Sequence, residues 1–294
     1  MSNAAVAAIS VALYILLAPG VGGLLQGVDR KATARMQGRQ GPPLLQSFYD
    51  VSKLLGKETK YMNHIQIVCH VSFLIFVIFT GALFFGGGDL LLIFFALTTA
   101  NLCLILAATT CNSPYAAMGA NREMLQTMAY EPMVLLTAVG FYLATDSFKV
   151  SDIVRSSGLP PIVYLPGVFC GFLFILTIKL RKSPFDLSYS HHAHQEIVQG
   201  VATEMSGGTL AKMTLMHWCE TVLFLMWVGM FFVWDNPVSW VVALVVMAAT
   251  YFVEVLIDNT FARSTWRSCF KLGWGVALVF GLLNLMPILV DVFI

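Results

Sequence analysis

Carboxylates inside apolar segments are the residues of this 294-residue chain with the clearest capacity for chemistry. Glu220 and Glu254 both fall within long apolar runs, where an ionisable group is costly and usually lines a cavity or a proton path. Glu254 and Asp258 are four residues apart, so on a helix they share one face. Two carboxylates that approach in a low dielectric do not both ionise readily, which favours proton handling. Alternatively, Asp258 pairs with Arg263 at the end of the run.

Two further acids have structural explanations beside the functional one. Glu131 precedes Pro132 near the predicted start of a helix, where an acid complements the helix dipole and proline is tolerated. Glu123 follows Arg122 and is placed to be its partner. We therefore keep two interpretations of each acid. Glu131 either belongs to a charged path or caps a helix, and Glu123 either belongs to that path or pairs with Arg122.

Helical spacing also relates two pairs of polar residues. His217 and Glu220 are three apart and can hydrogen-bond to each other or to another helix, which suits a structural contact as well as a proton relay. Glu196 and Glu204 are eight apart and share a face if that stretch is helical, although Gly200 can interrupt it.

The segment 183–200, SPFDLSYSHHAHQEIVQG, concentrates histidines and acids in one place. His191 and His194 have the spacing of metal ligands on a helix, and Asp186 or Glu196 would complete a site. The spacing is common, His192 points elsewhere, and the sequence contains no second ligand cluster, so we do not predict a metal. We keep two interpretations: histidines that titrate near neutral pH and carry protons, and residues that pack against a partner.

The elements that position these residues are membrane helices. With 58% hydrophobic and 11% charged residues and a mean hydropathy of +0.78, the chain cannot build the solvated surface of a water-soluble fold. The net charge of +1 gives no reason to expect a nucleic-acid partner. Eight stretches have the length and apolarity to cross a bilayer, and they lie near 4–25, 64–86, 90–111, 128–147, 162–180, 212–234, 237–257 and 272–293. No basic segment precedes the first stretch, so we expect it to be retained rather than cleaved.

Lysine and arginine predict the orientation. With eight spans, every basic residue except Lys149 and Arg155, out of 17, falls at the same side of the membrane. The positive-inside rule places that side in the cytoplasm and both termini on the outer, periplasmic side. We therefore predict an all-α, multi-pass protein of the cytoplasmic membrane, a single polytopic domain over 1–294. Its two long cytoplasmic loops, 26–63 and 181–211, follow the first and fifth spans.

The first long loop contains the amphipathic stretch QSFYDVSKLLGKE. Phe48, Val51, Leu54 and Leu55 fall on one helical face. Such a helix lies along the lipid surface or forms a docking surface for a soluble partner, and we keep both interpretations. The six cysteines are too scattered for the CxxC spacing that iron-sulfur or zinc sites usually use, so any redox centre is expected on another chain.

Four segments together resemble one family: GRQGPPLLQSFYDVSKLLGKE, NSPYAAMGANREM, AYEPM and SPFDL followed by QEIVQGVATEMSG. In this order they resemble the subunit 1 family of respiratory complex I, and within it the eight-helix membrane subunit of Ech-type energy-converting nickel-iron hydrogenases. That resemblance implies a junction subunit without an active site, a catalytic residue, a cofactor or a metal of its own. The role that the resemblance implies is to couple ferredoxin oxidation and hydrogen formation to proton or sodium translocation.

The resemblance also implies partners and residue roles. The expected partners are the hydrogenase large and small subunits with a nickel-iron (NiFe) centre, a ferredoxin-like subunit with 4Fe-4S clusters, an antiporter-like membrane subunit, the electron donor ferredoxin and the lipid bilayer. The charged path is expected to include Glu123, Glu131, Glu196, Glu204 and Glu220 by resemblance, with Asp186 from the PFDL motif and Glu254 and Asp258 from their spacing. We assign the junction with the soluble subunits to Arg39, Gln46, Asp50, Lys53, Arg122, Arg181, His191, His192 and His194.

One departure separates this chain from respiratory relatives. Those relatives follow PFDL with an acid-rich stretch, whereas this chain has the histidines of 191–194. The departure favours the hydrogenase branch, which needs no quinone, over the alternative of a quinone-binding subunit of a respiratory dehydrogenase. A secondary transporter is disfavoured because we find no internal repeat with paired broken helices. A membrane hydrolase is disfavoured because the chain has no HExxH or GxSxG motif.

Overall fold

The fold is a helical bundle. A computed structural model describes residues 3–61, 63–156, 158–182, 184–186, 188–189 and 197–293. Within these ranges two isolated bridges are the only β pairing. The helices are α1 (Asn3–Met36), α2 (Gln46–Leu55), α3 (His64–Phe85), α4 (Leu90–Thr109), α5 (Pro114–Thr145), α6 (Val150–Val154), α7 (Pro166–Lys179), α8 (Gly208–Met230), α9 (Pro237–Thr260), α10 (Trp266–Val276) and α11 (Leu283–Phe293), with a π-helical segment (Ala277–Leu282) between the last two.

Side-chain caps mark where the long helices begin. Asn63, Asp89 and Asn236 each accept a hydrogen bond from a backbone N–H in the first turn of α3, α4 and α9. Ser113 caps α5 in the same way, directly before its proline. These caps satisfy donors that have no partner within the helix, so each one fixes a start that hydropathy alone leaves open.

Seven of the described helices or helical runs are long and apolar enough to cross a membrane. The predicted fifth span, 162–180, appears as the 14-residue α7, which falls short of that length. Its flanks nevertheless reach both ends of the bundle. The Ile162 N–H donates to the Phe231 carbonyl at one end (3.0 Å), and Lys182 contacts Asp258 at the other (3.8 Å). The all-α membrane fold is thus confirmed, while the count of eight spans and the orientation stay predictions.

Two predicted loop regions are helical instead. Residues 26–36, expected in the first cytoplasmic loop, continue α1, and residues 114–127, expected before the fourth span, continue into α5. Hydropathy shows where the apolar stretch ends, but a helix continues while its backbone hydrogen bonds are unbroken and its polar side chains find partners. The 32-residue α5 therefore carries Glu123 in the same rigid element as Glu131.

The amphipathic helix was predicted correctly, but its apolar face packs on protein. Val51 is buried in a cluster with Trp218 of α8, and the ring centroid of Phe48 lies 5.3 Å from that of Trp218. Leu54 packs against the same cluster, whereas Leu55 is 55% exposed. Most of the face is thus used for attachment of α2 to the bundle, which corrects the lipid-surface interpretation for these residues.

Aromatic side chains fill the middle of the bundle between α5, α7 and α8. Phe172 and Trp227 are fully buried with ring centroids 5.8 Å apart, and Phe141 and Phe231 lie 4.7 Å apart beside them. The outward faces of α1 and α9 are instead exposed and apolar, as a lipid environment requires. This dense core holds the elements that carry the buried charges in place.

Gly119 of α5 offers a test of this packing. A Cβ there would lie 2.5 Å from the backbone of Gly200 and Val201, at the end of the second long loop. We expect Gly119→Ala to destabilise the protein by about 1–3 kcal/mol, because backbone atoms cannot move aside cheaply. Thermal unfolding of the purified protein in detergent measures the effect.

Gly275→Ala in α10 is the matched control, since nothing lies within 4 Å of the added Cβ. It should be neutral or stabilising by up to about 1 kcal/mol, the helix-propensity difference between glycine and alanine. Equal melting temperatures for the two variants would contradict the close approach at Gly119.

Candidate functional site: buried charges around the end of α7

The central feature is an ion pair buried between α5 and the C-terminal end of α7. Arg181 Nη2 lies 3.3 Å from Glu123 Oε1, and Arg181 Nη1 lies 3.4 Å from Glu123 Oε2. The Ser188 hydroxyl donates a hydrogen bond to the same carboxylate. Glu123 is 6% exposed, so its charge depends on these donors rather than on water.

A second acid approaches from α8. Glu220 Oε2 lies 3.0 Å from His217 Nδ1, and both side chains are largely buried. Lys179 of α7 lies nearby, with its Nζ 4.4 Å from the ring centroid of Tyr130 and 5.3 Å from that of Phe224. Because three helices contribute charged groups here, none of these groups can change its charge without changing the field at the others.

These side chains surround a small polar cavity. Its volume of about 10 Å³ is close to the space that one water molecule needs. Polar partners are available, because the Asn101 amide donates to the Tyr130 hydroxyl at 2.8 Å. The lining residues are Asn101, Glu123, Gln126, Tyr130, Ile178, Lys179, Arg181 and Glu220. We refer to the charged residues Glu123, Lys179, Arg181, His217 and Glu220 as the central cluster.

The PFDL motif lies directly beside the central cluster. Gln126 Nε2 donates to the Asp186 carbonyl at 3.0 Å, which ties the motif to α5. The Asp186 N–H donates to the carbonyl of Ser264 at 3.2 Å, which ties it to the segment before α10. The backbone of Asp186 therefore bridges two parts of the bundle, one of which carries Glu123.

Lys182 leads to a second group of charges, between α1 and α9. Its Nζ donates to Asp29 Oδ2 at 2.6 Å and lies 3.8 Å from Asp258 Oδ2. Glu254 is 1% exposed and lies within reach of the charges of Lys182 and Asp258. We call Asp29, Lys182, Tyr251, Glu254 and Asp258 the Lys182 cluster. The alternative pairing of Asp258 with Arg263 stays a prediction.

Glu131 does not line the polar cavity, although the charge of Lys179 acts on it. It lies in the middle of α5, so the capping interpretation is wrong; the helix begins at Pro114, upstream of the predicted start. The side chain is half-buried and lines a groove of about 260 Å³ between α4 and α5, with apolar neighbours such as Phe94 and Met128. The structure thus places this acid away from Glu123 and Glu220, on a face open to a partner or to lipid.

The expected pairing of Glu123 with Arg122 is also wrong. Consecutive residues of a helix point about 100° apart, so Arg122 leaves the face that carries Glu123. Its guanidinium lies 5.0 Å from the ring centroid of Trp266 instead. The partner of Glu123 is Arg181, which is distant in sequence.

The first long loop forms its own polar contacts. Arg30 Nη1 lies 2.7 Å from Asp50 Oδ2, and Gln46 donates to Asp50 Oδ1 at 2.9 Å. Burial raises the pKa of Asp50, but these two hydrogen bonds outweigh it and hold the pKa below its ordinary value. Arg39 and Lys53 are exposed, and Arg39 donates to the side chain of Gln37.

Glu204 does not line the polar cavity of the central cluster. Glu204 is half-buried beside the 3₁₀ turn Gly200–Ala202, where its charge acts on Cys111. His191, His192, His194 and Glu196 lie outside the described residues. Within the part of the chain that the structure describes, no three His, Cys, Asp or Glu side chains could hold a metal ion.

Sequence reasoning missed one cation of each cluster, Lys179 and Lys182. Both belong to the run KLRK, in which only Arg181 was assigned to the junction, whereas the two lysines were used only to predict the orientation. Asp29 was assigned to a loop because the length of α1 was underestimated. The available signal was that Lys179 and Lys182 stand next to apolar residues at the end of a predicted span. Cations at such a position either reach solvent or pair with buried acids.

Comparison with known proteins identifies the family. A family described as NADH dehydrogenase matches residues 8–289, almost the entire chain. The chain belongs to the NADH dehydrogenase subunit 1 family. The predicted family is thereby confirmed, and with it a multi-pass membrane protein.

Relatives in this family come from two kinds of complex. The chain is 28% identical to formate hydrogenlyase subunit 4 of Escherichia coli (82% of this chain, 85% of the relative) and 26% identical to hydrogenase-4 component C of the same organism (89% of each). It is 27% identical to a subunit of the NADH-quinone oxidoreductase of Dehalococcoides mccartyi (88% and 79%). A chain of the archaeal membrane-bound sulfane sulfur reductase has the same fold, with a TM-score of 0.79 over 95% of this chain and 99% of that chain at 23% identity.

The Glu123–Arg181 pair yields a stability prediction. Arg181→Met leaves a buried carboxylate without its counter-charge, and we expect it to cost about 3–5 kcal/mol. The double variant Arg181→Met with Glu123→Gln should recover most of this loss, because no uncompensated charge is left. Thermal unfolding of the three variants and the unsubstituted protein completes the cycle.

Arg155→Met is the control, since Arg155 follows α6 near the opposite end of the bundle. It should leave the melting temperature unchanged. A double variant that is as unstable as Arg181→Met alone would show that the arginine acts through packing rather than through the charge of Glu123.

Proposed function

We propose that this chain is the membrane junction subunit of a ferredoxin-dependent, energy-converting nickel-iron hydrogenase. In this role it anchors the soluble arm, which oxidises ferredoxin and forms hydrogen, and couples it to proton or sodium translocation in the membrane. The proposed partners are the hydrogenase large and small subunits, a ferredoxin-like iron-sulfur subunit and an antiporter-like membrane subunit. The NiFe centre and 4Fe-4S clusters belong to those partners, and the chain itself is non-catalytic.

The observation that carries the proposal is the central cluster beneath the PFDL motif. A junction subunit must convert a change of charge at its surface into a change of charge inside the membrane. Here Ser188, which directly follows that motif, donates to the buried Glu123 carboxylate. A displacement of this segment therefore alters the stabilisation of a charge that water does not reach.

The arrangement allows this altered stabilisation of Glu123 to affect α8. If Glu123 loses Ser188 or Arg181, its uncompensated charge acts on Lys179 and His217 at short range and in a low dielectric. The added negative charge favours uptake of a proton by His217, and the resulting imidazolium can pass its Nδ1 proton to the Glu220 carboxylate, to which it is already hydrogen-bonded. The water-sized cavity offers a carrier between the two acids.

The proposed sequence of events begins at the junction. Electron transfer on the soluble arm changes the local charge, to which Asp186 and Glu196 respond first. Glu131, Glu204, Glu220 and Glu254 then pass the electrostatic change, or a proton, toward a neighbouring subunit. The half-buried position of Glu131 in an open groove suits contact with such a neighbour.

The second candidate is a quinone-binding junction subunit of a respiratory dehydrogenase. It is supported by the similarity to the NADH-quinone oxidoreductase subunit of Dehalococcoides mccartyi. We favour the hydrogenase role because relatives of similar identity are hydrogenase components and because histidines replace the acid-rich stretch after PFDL. Both candidates use the same central cluster.

Neutral substitutions test the coupling. We expect Glu131→Gln or Glu204→Gln in the complete complex to abolish ion transport into proteoliposomes, because each removes a charge from the proposed path. Hydrogen evolution by the detached soluble subunits should be unaffected. Ion uptake is measured on the reconstituted complex, and hydrogen production is measured on soluble subunits detached from the same purified complex.

Glu58→Gln serves as the control, since Glu58 is exposed and lies in neither cluster. It should retain transport. Normal transport in both Glu131→Gln and Glu204→Gln would refute the path through these acids.

A quinone-site inhibitor separates the two candidate functions. We expect no effect on ferredoxin-dependent hydrogen evolution by the purified complex, because the proposed electron route contains no quinone. Inhibition of turnover would reject the hydrogenase role in favour of the respiratory one. The same inhibitor on a quinone-reducing respiratory complex shows that the compound is active.

A further inference from the structure

Lys182 is buried on the opposite side of the chain from its neighbour Arg181. Its side chain is 4% exposed, and it reaches α1 and α9 while Arg181 reaches α5. The short contact to Asp29 is a charge-assisted hydrogen bond, and Asp258 lies farther away. The ammonium also lies 5.7 Å from the ring centroid of Tyr251. Lys182 therefore has a first partner on α1 and a second on α9.

The Lys182 cluster is rich in carboxyl groups. One ammonium faces three carboxyl groups: Asp29 from α1, and Glu254 and Asp258 from α9. Tyr251 is the other titratable group of this cluster, and its hydroxyl donates to the Leu25 carbonyl at 3.0 Å. α8 contributes the apolar Leu225. A negative charge on Glu254 would lie close to that of Asp258, which adds to the cost of ionising this buried acid.

Glu254 is the acid best suited to be neutral. It is the most deeply buried of the three, and its Oε2 has no hydrogen-bond partner among the described residues. Asp29 and Asp258 are both partly exposed and in contact with the ammonium. A buried carboxyl group without a donor avoids the cost of ionisation by holding a proton.

We propose that Glu254 is an exchangeable proton-binding site, and that the position of Lys182 between α1 and α9 determines whether the proton is held. With Lys182 on Asp29, as in the structure, Glu254 is a neutral carboxylic acid. When Lys182 moves toward α9, its charge stabilises the Glu254 carboxylate. The released proton passes to water near Asp258, which is one helical turn away and partly exposed.

This proton site gains a role in coupling from its connection to Arg181. The two residues are consecutive, so a backbone movement that pulls Arg181 from Glu123 also moves Lys182 relative to Asp29. Proton release from Glu254 would then accompany the event at the central cluster without a direct path between them. This coupling role rests on the proposed function, whereas the proton-binding site does not.

Infrared spectroscopy of the complete complex in detergent tests the site without any turnover. Protonated carboxyl groups give a carbonyl band that shifts in deuterium oxide. We expect one such band to disappear as the pH rises, and to be absent from Glu254→Gln. Tyr251→Phe is the control: it removes a hydrogen bond between α9 and α1 but leaves the acids, so the band should persist.

The role of Lys182 is tested by the midpoint of that titration. Lys182→Met removes the stabilising cation, and we expect the midpoint to rise by about one pH unit or more, a tenfold change in proton affinity. The double variant Lys182→Met with Asp29→Asn removes both members of the ion pair. The net charge of the cluster is then unchanged, which favours assembly of the complex. Its midpoint should likewise lie above that of Asp29→Asn alone.

Two results would overturn the inference. A titrating carboxyl band that survives in Glu254→Gln would assign the proton to another acid. An unchanged midpoint in both lysine variants would separate Lys182 from the proton. Loss of hydrogen-coupled ion transport is measured separately, so a failure of the proposed hydrogenase function leaves the infrared result interpretable.

Discussion

The buried contact between Glu123 and Arg181 is the constraint on which the rest of the interior depends. A carboxylate at this depth is tolerated only if donors surround it, and the donors come from the end of α7 and from the segment beyond it. This requirement fixes how the end of α7 lies against α5. The position of Lys179, the PFDL backbone and the water-sized cavity then follow from that placement.

The need of buried acids for counter-charges also explains the three cations at and just beyond the end of α7, which point to different helices. Lys179 and Arg181 neutralise acids toward α5 and α8, whereas Lys182 serves α1 and α9. Residues close in sequence thereby hold together helices that are far apart along the chain. The end of the bundle near Lys182 is joined by charge, while the middle is joined by aromatic packing.

Much of the fold was predictable from the sequence because lipid imposes simple rules. Long apolar stretches marked the helices α3, α4, α8 and α9 to within a few residues, and period-3.6 spacing identified α2. The lengths of α1 and α5 were not predictable from hydropathy, since polar helical turns extend beyond the apolar part. The individual acids were identified, but their partners were not, because the contact of Glu123 with Arg181 joins residues 58 apart in sequence. Only tertiary packing decides such a pair.

The short length of α7 has a consequence for the surrounding lipid. Fourteen helical residues rise about 21 Å, which is less than the roughly 30 Å of a bilayer's hydrocarbon core. A helix this short cannot face lipid over the full depth of the hydrocarbon, because the non-helical backbone on either side of it needs polar partners. The neighbouring helices cover α7 instead, and its Phe172 and Ile175 side chains are fully buried. Just beyond the two ends of α7, the Ile162 and Lys182 N–H groups donate to the carbonyls of Phe231 and Thr177, so protein rather than lipid or water supplies the polar partners.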